Sequence, residues 1–319
     1  MSIRVLSFCT NTWTHEAEDI RAEGVGLLDH LRVRLEDRLQ DVIAQLKTAL
    51  ENDLKTYQAT FFTLPEFFWN TGWQNVKTES DIRELCTFYL DNMTGYINRL
   101  VSSFPTASYP SAGEIIFLAG TCAALYYDEE AKNLWGVDEN TYRPVNWLLS
   151  ASNKRTDISV WPKRHTSHID FFSQLTPCPG DSPWFIATLA GQKERIRIAK
   201  HSEAIASSMK GAAISDRFIN VLPEITEFSV DICLDYATIS TEQPAKWQDR
   251  VAELERSTSQ IDFLISCGMT LESSQWHPAS LRYLVRNDGG TPECQVYSFS
   301  HGWLTATKVS HNIMHFELI

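Results

Sequence analysis

The stretch FFTLPEFFW, residues 61–69, governs how this chain is read. An apolar, β-type run ends at Pro65, because proline has no amide hydrogen to give a sheet ladder. Glu66 stands just past that stop, beside Phe67, Phe68 and Trp69. A carboxylate among apolar side chains needs a partner, and burial raises its pKa towards the range of a general base. Two other phrases share the build. In ISVWPKRHTSHID, 158–170, a strand is stopped by Pro162, with Lys163 next. In FSVDICLDYA, 228–237, an alternating run of Phe228, Val230 and Ile232 reaches Cys233.

Working outward, short runs rich in β-branched and aromatic residues predict strands at 3–8, 60–64, 115–119, 145–149, 158–161, 227–232 and 261–266. Further strands are expected at 281–285, 295–299 and 313–318. Leu31, Leu35, Leu39, Val42, Ile43, Leu46, Leu50 and Leu54 recur at spacings of three and four, one apolar stripe along a long helix. A second helix begins near Ser80, with Asp81 and Glu84 favouring its N-terminal dipole and a stripe running from Ile82 to Leu100. A third is expected around 244–255, with Pro244 in its first turn. Early strand–helix–strand alternation followed by clustered strands predicts a layered α/β or α+β protein. With no repeat and no low-complexity linker, the 319 residues are read as one domain with a long irregular insertion at about 174–223.

Composition narrows the function classes. A formal charge of −12 argues against nucleic-acid binding, which rests on basic residues facing phosphates. The longest apolar run, 115–127, is shorter than the roughly 20 residues of a spanning helix, so no membrane role is expected. Arg4 and the polar run from Thr10 interrupt any leader-like segment. Seven cysteines, an odd number with no C-x-x-C pair, read as reduced thiols of the cytoplasm.

Ligands of α/β sheets bind beyond the carboxyl ends of strands, so a Glu, a Lys and a Cys at three such ends are placed to converge. Their chemistry is coherent. A thiolate is the nucleophile, and a neighbouring cation lowers a cysteine pKa. A carboxylate takes the thiol proton and later returns one to a leaving amine. A lysine supplies positive charge where an oxyanion develops.

LPEFFW, WPKRHTSHID and DICLDYA resemble, in order, the three signature blocks of the nitrilase (carbon–nitrogen hydrolase) superfamily. The resemblance extends more loosely from Ile3 to about Ser266. It implies a four-layer αββα sandwich, commonly dimerising through its helical face. It also makes Glu66 the general acid/base, Lys163 the oxyanion stabiliser and Cys233 the nucleophile, and it puts Asp170 where many members carry a second acidic residue, usually glutamate. Pro162 departs from the arginine that often precedes the lysine. The stretch from Lys163 to Cys233 is longer than usual, and LRYLVRNDGG (281–290) is a poor substitute for the family's later Arg-Ala-x-Glu-Asn segment.

The activity implied is cofactor-independent hydrolysis of a non-peptide C–N bond in a small amide through a thioester, by a homodimer or higher homo-oligomer. Leu-Asp after the cysteine, where true nitrilases usually show Trp-Glu, favours amide over nitrile. A nitrilase, an N-carbamoyl hydrolase, an acyl transferase and a catalytically silent interaction protein stay open as alternatives. His165 and His168 at i and i+3 lack a clear third ligand, so no metal is expected. Asp235 is assigned to the turn after Cys233, and Cys267 to a pocket wall or the core. The basic cluster Lys193, Arg195, Arg197, Lys200 and His201 is either a solvated face or an attractor for a carboxylate-bearing substrate.

Overall fold

Side-chain alternation along the strands sorts the apolar residues into two cores, and the layers follow from that sorting. The computed structural model describes residues 2–13, 18–53, 55–127, 141–163, 165, 167, 170–171, 176–177, 184–189, 195–199, 209–214, 219–222, 226–236, 258–271 and 277–318. Strands β1 (Ile3–Phe8), β2 (Ala59–Leu64) and β3 (Glu114–Tyr127) run parallel, with Val5 opposite Phe61 and Phe61 opposite Ile116. β4 (Thr141–Ser152) returns antiparallel along β3, and β5 (Ser159–Pro162) antiparallel along β4. A hairpin of β6 (Trp184–Thr188) and β7 (Arg195–Ala199) adds to β4.

The second sheet holds β8 (Ile219–Leu222), β9 (Thr226–Ile232), β10 (Ile261–Ser266), β11 (Tyr283–Asp288) and β12 (Glu293–Ser298) in that order, with β9, β10 and β11 parallel. The chain then returns to the first sheet as β13 (Ile313–Leu318), antiparallel to β1. β1 and β2 are therefore interior strands, consistent with their near-continuous apolar runs.

Val5, Phe61 and Ile116 point one way, into a core shared with Phe228, Val230, Ile232, Phe263, Ile265 and Val285 of the second sheet. Leu6, Phe62 and Phe117 point the other way, into a core shared with two helices. Helix α1 (Leu27–Glu51) buries Leu31, Leu35, Leu39, Val42, Leu46 and Leu50, the stripe expected from sequence. It closes at Glu51, so Leu54 lies past its end and outside the described residues. Helix α2 (Glu79–Ser102) is started by a capping box: the Asp81 amide donates to Thr78 Oγ1 at 3.0 Å, and the Thr78 amide donates to Asp81 Oδ2 at 3.0 Å.

Helices, sheet and sheet make three successive layers of the expected αββα sandwich. The helix expected around 244–255, for the outer face of the second sheet, lies outside the described residues, as does most of 174–223. Among the described residues no helix is long and apolar enough to cross a membrane. Among the described residues no disulfide joins two cysteines, and Cys178 lies outside them.

One polar contact crosses between the sheets near their carboxyl ends. Asn287, dismissed with its segment in the sequence, is fully buried on β11. Its Nδ2 donates to the Thr63 carbonyl and to Thr63 Oγ1, both at 3.0 Å, while the Thr63 hydroxyl donates to Ser7 Oγ at 2.8 Å.

Candidate active site

Glu66 is presented by a strand end and fixed by a bulge on the neighbouring strand. β2 stops at Leu64, and the next turn carries Glu66 with no exposed surface. Across from it, β3 slips register between Leu118 and Thr121, where Gly120 has φ +68°. A Cβ on Gly120 would lie 2.8 Å from the Pro65 carbonyl and 2.9 Å from Phe68 Cβ, so only glycine permits this approach. The bulge aims Thr121 at the turn: its Oγ1 accepts from the Phe67 amide at 2.8 Å and its carbonyl accepts from the Trp69 amide at 3.1 Å. Thr12 Oγ1 donates to the Glu66 carbonyl at 2.8 Å from the other side.

Phe67 itself has φ +62°, in the left-handed region that a bulky side chain rarely adopts. Its ring packs with Ala123 and Cys267, and Lys163 Nζ lies 5.9 Å from the ring centre.

Lys163 follows Pro162 at the end of β5. Its amide donates to the Asn146 carbonyl at 2.8 Å, which sets the chain's exit from the sheet. The ammonium is buried and shared between two carboxylates, at 2.9 Å to Glu66 Oε1 and 2.6 Å to Asp170 Oδ1. Ser167 braces Asp170, donating from its amide to Oδ2 at 2.9 Å and from its hydroxyl to Oδ1 at 2.7 Å. Burial pulls the Lys163 pKa down, but Asp170 and Glu66 outweigh it, and the ammonium stays charged with a pKa well above its ordinary value. Burial pushes the Glu66 carboxyl up to about 7; Lys163 pulls it down and Asp170 pushes it further up.

Cys233 ends β9 and opens a single short turn, Cys233–Tyr236, on the second sheet. Its φ is +48°, the other non-glycine residue in the left-handed region among the described residues. Such backbone strain, commonly about 1–3 kcal/mol per residue, accumulates at functional sites. Its Sγ is buried, 4.0 Å from the Cys267 carbonyl at the end of neighbouring β10. Burial, followed by the charge of Glu66, raises the thiol pKa well above its ordinary value, and Lys163 offsets this only in part. The lysine lowers it as expected, but burial and the charge of Glu66 outweigh that effect, and the net shift is upward.

Sequence reasoning missed Asn146. It lies on β4, almost fully buried, and its Nδ2 donates to Glu66 Oε1 at 2.9 Å. An amide breaking the apolar run 145–149 was the available signal. Asp235, assigned only to a turn, does more: its Oδ1 accepts from the His165 amide at 3.0 Å and pairs with His165 Nδ1 at 2.9 Å. It thus ties the lysine's loop to the cysteine's turn. Among the described residues no group of three His, Cys, Asp or Glu could hold a metal; His168 lies outside them. Of the basic cluster only the Arg197 side chain is described, part-buried on β7.

Glu66, Lys163, Asp170 and Asn146 thus form one buried cluster on the first sheet, and Cys233 reaches it from the second. No family model and no curated protein matches the chain. Solved structures are similar to it. Nit3 of Saccharomyces cerevisiae, a nitrilase-superfamily member, shares 13% identity, with 99% of this chain and 90% of that one covered and a TM-score of 0.42. A carbon–nitrogen hydrolase from Helicobacter pylori G27 shares 10% identity over 99% and 88%, with a TM-score of 0.44. A nitrilase-superfamily amidase from Nesterenkonia AN1 shares 9% over 99% and 90%, with a TM-score of 0.40.

Proposed function

We propose that the protein hydrolyses the C–N bond of a small carboxamide through a thioester on Cys233. One observation carries the reading: Glu66 Oε1 is saturated by Lys163 and Asn146, while Oε2 is buried and meets no N–H or O–H donor, and the Cys233 thiol is close enough to the same carboxylate to lower its pKa by hydrogen bonding. Buried polar atoms in native proteins are nearly always paired, so an open carboxylate oxygen beside a thiol is suited to receive that thiol's proton.

In the proposed cycle the thiol proton passes to Glu66 Oε2 as sulfur bonds to the carbonyl carbon. Lys163 has three N–H groups. Two meet Glu66 and Asp170, and the third makes only a long 3.5 Å hydrogen bond to Ser167 Oγ, which it can exchange for the oxyanion. The C–N bond breaks as Glu66 returns the proton to the leaving nitrogen. Water then gives a proton to Glu66, its oxygen displaces sulfur, and the proton returns to the thiolate with release of the acid.

The test separates base from nucleophile. Glu66→Gln keeps the shape and loses the proton acceptor, whose contribution is typically about 10²–10⁴-fold. With an activated ester, whose leaving group needs little protonation, acylation survives better than hydrolysis. Intact-protein mass spectrometry should show an acyl group accumulating on Cys233 in Glu66→Gln and absent in Cys233→Ala. An acyl group on another residue, or parental turnover by Glu66→Gln, overturns the assignment.

A further inference from the structure

Asn146 is tied to two residues of the site, through its backbone carbonyl, which accepts from the Lys163 backbone amide at 2.8 Å, and through its side-chain Nδ2, which donates to Glu66 Oε1 at 2.9 Å. An ionised carboxylate only accepts hydrogen bonds, so the amide nitrogen must face it and the orientation of the side chain is fixed. The oxygen therefore turns away from Oε1. That oxygen, Oδ1, is buried and has no hydrogen-bond partner, and Glu66 Oε2 meets no N–H or O–H donor. The thiol of Cys233 faces the carboxylate, but Asn146 Oδ1 is an unmet buried acceptor, unfavourable in the free protein and expected where a ligand supplies the donor.

The ligand's chemistry follows from what the two atoms lack. Resting on the function proposed above, Oε2 hands its proton to the leaving nitrogen, which must come within hydrogen-bond distance of it. Asn146 Oδ1 belongs to the same amide group whose Nδ2 holds Oε1, and it is buried in the same cluster. In the tetrahedral intermediate a carboxamide nitrogen turns its lone pair to the proton on Oε2, and for Asn146 Oδ1 it carries N–H groups. A nitrile nitrogen and an ester oxygen carry none.

We propose that Asn146 is a positioning and specificity residue: its Nδ2 holds Glu66 with Oε2 free, and its Oδ1 accepts an N–H of the leaving nitrogen, selecting carboxamides over nitriles and esters. Accepting that N–H turns the nitrogen lone pair towards the proton on Oε2. Sites built to bond a substrate N–H or O–H discriminate strongly against analogues without it, because the protein's own polar group is left unpaired.

The experiment compares kcat/KM for a primary carboxamide with that for the methyl ester of the same acid, in the parent, Asn146→Ala and the near-isosteric Asn146→Leu. The variants should lose at least tenfold more on the amide than on the ester. The acid limb of their pH profiles should also move up, since a hydrogen bond that favoured ionised Glu66 is gone. Equal losses on amide and ester with an unmoved limb overturn the inference and leave the amidohydrolase reading standing. A parent inert towards amide and ester alike removes that reading, and this inference with it. Should neither variant fold, the parent decides: a drop of at least a hundredfold from the N-methyl amide to the N,N-dimethyl amide supports the contact, and a drop within tenfold overturns it.

Discussion

At the scale of single residues, the site's logic lies in how one positive charge is divided. Lys163 is held between Glu66 and Asp170, while burial and then the charge of Glu66 raise the Cys233 thiol pKa by more than Lys163 lowers it, which favours the protonated thiol at rest. On the proposed function, nucleophile activation belongs to Glu66, and its ionisation sets the pH dependence. Because the folded Glu66 carboxyl is raised to about 7, the base is increasingly protonated below that pH, and kcat/KM should rise as pH rises through about 7. Asp170 contributes to the raised value by its negative charge. Asp170→Asn removes that charge and leaves Lys163 to act on Glu66 alone, so the acid limb should shift to lower pH. A pH–rate profile of the two proteins measures this. A limb that stays put, or moves up, shows that a group other than Glu66 is being titrated.

At the scale of elements, the turn carrying Glu66 is positioned by a strand distant in sequence, Thr121 lying 54 residues beyond Phe67. Gly120 allows the β3 bulge, and Thr121 anchors the Phe67 and Trp69 amides. Gly120→Ala meets both a positive φ and a Cβ only 2.8 Å from the Pro65 carbonyl. A backbone clash of that kind typically costs about 1–3 kcal/mol. Denaturant midpoints should fall accordingly, and kcat should fall with them. Thr78→Ala, which removes a cap far from the turn at a typical ~1 kcal/mol, should lower stability and leave kcat unchanged. If Gly120→Ala kept parental kcat after a comparable loss of stability, the bulge would have no part in placing Glu66.

These elements also show what was legible in the chain. Pro65 and Pro162 are chemical stops, so the ends of β2 and β5, and with them Glu66 and Lys163, could be read directly. The stripes of α1 and α2 could be read because each helix buries one face. β3 runs to Tyr127, well beyond the expected end at 119, because a glycine bulge continues a strand that a simple reading stops. The left-handed backbones of Phe67 and Cys233 leave no mark in sequence, since neither position is glycine. They are imposed by tertiary contacts. Asn146 was hidden for the opposite reason: its partner Glu66 is 80 residues away, and no local pattern links them.

At the scale of the whole molecule, the site is split between two sheets. Glu66, Lys163 and Asn146 belong to the first and Cys233 to the second, so the distance from the proposed base to the proposed nucleophile depends on how the sheets pack. Phe61 stands at that interface, with its ring centre 5.1 Å from Phe228 and 4.8 Å from Phe263. Phe62, its neighbour on β2, faces the helices instead and packs on Phe117 at 6.0 Å. Both are fully buried, so truncating either to alanine should cost a comparable ~3–5 kcal/mol. Their effects on catalysis should differ. Phe61→Ala leaves a void between the layers that carry the two halves of the site, and small misplacements of reacting groups can cost on the order of 10²-fold. Phe62→Ala leaves a void behind the first sheet, and the two halves keep their spacing. Under conditions where both variants remain folded, kcat for Phe61→Ala should therefore fall at least tenfold further than kcat for Phe62→Ala. Equal kcat at matched stability would show that the spacing is set by the strand-end contacts, the Asn287 bridge between sheets and the Asp235–His165 tie, and that the aromatic core does not set it.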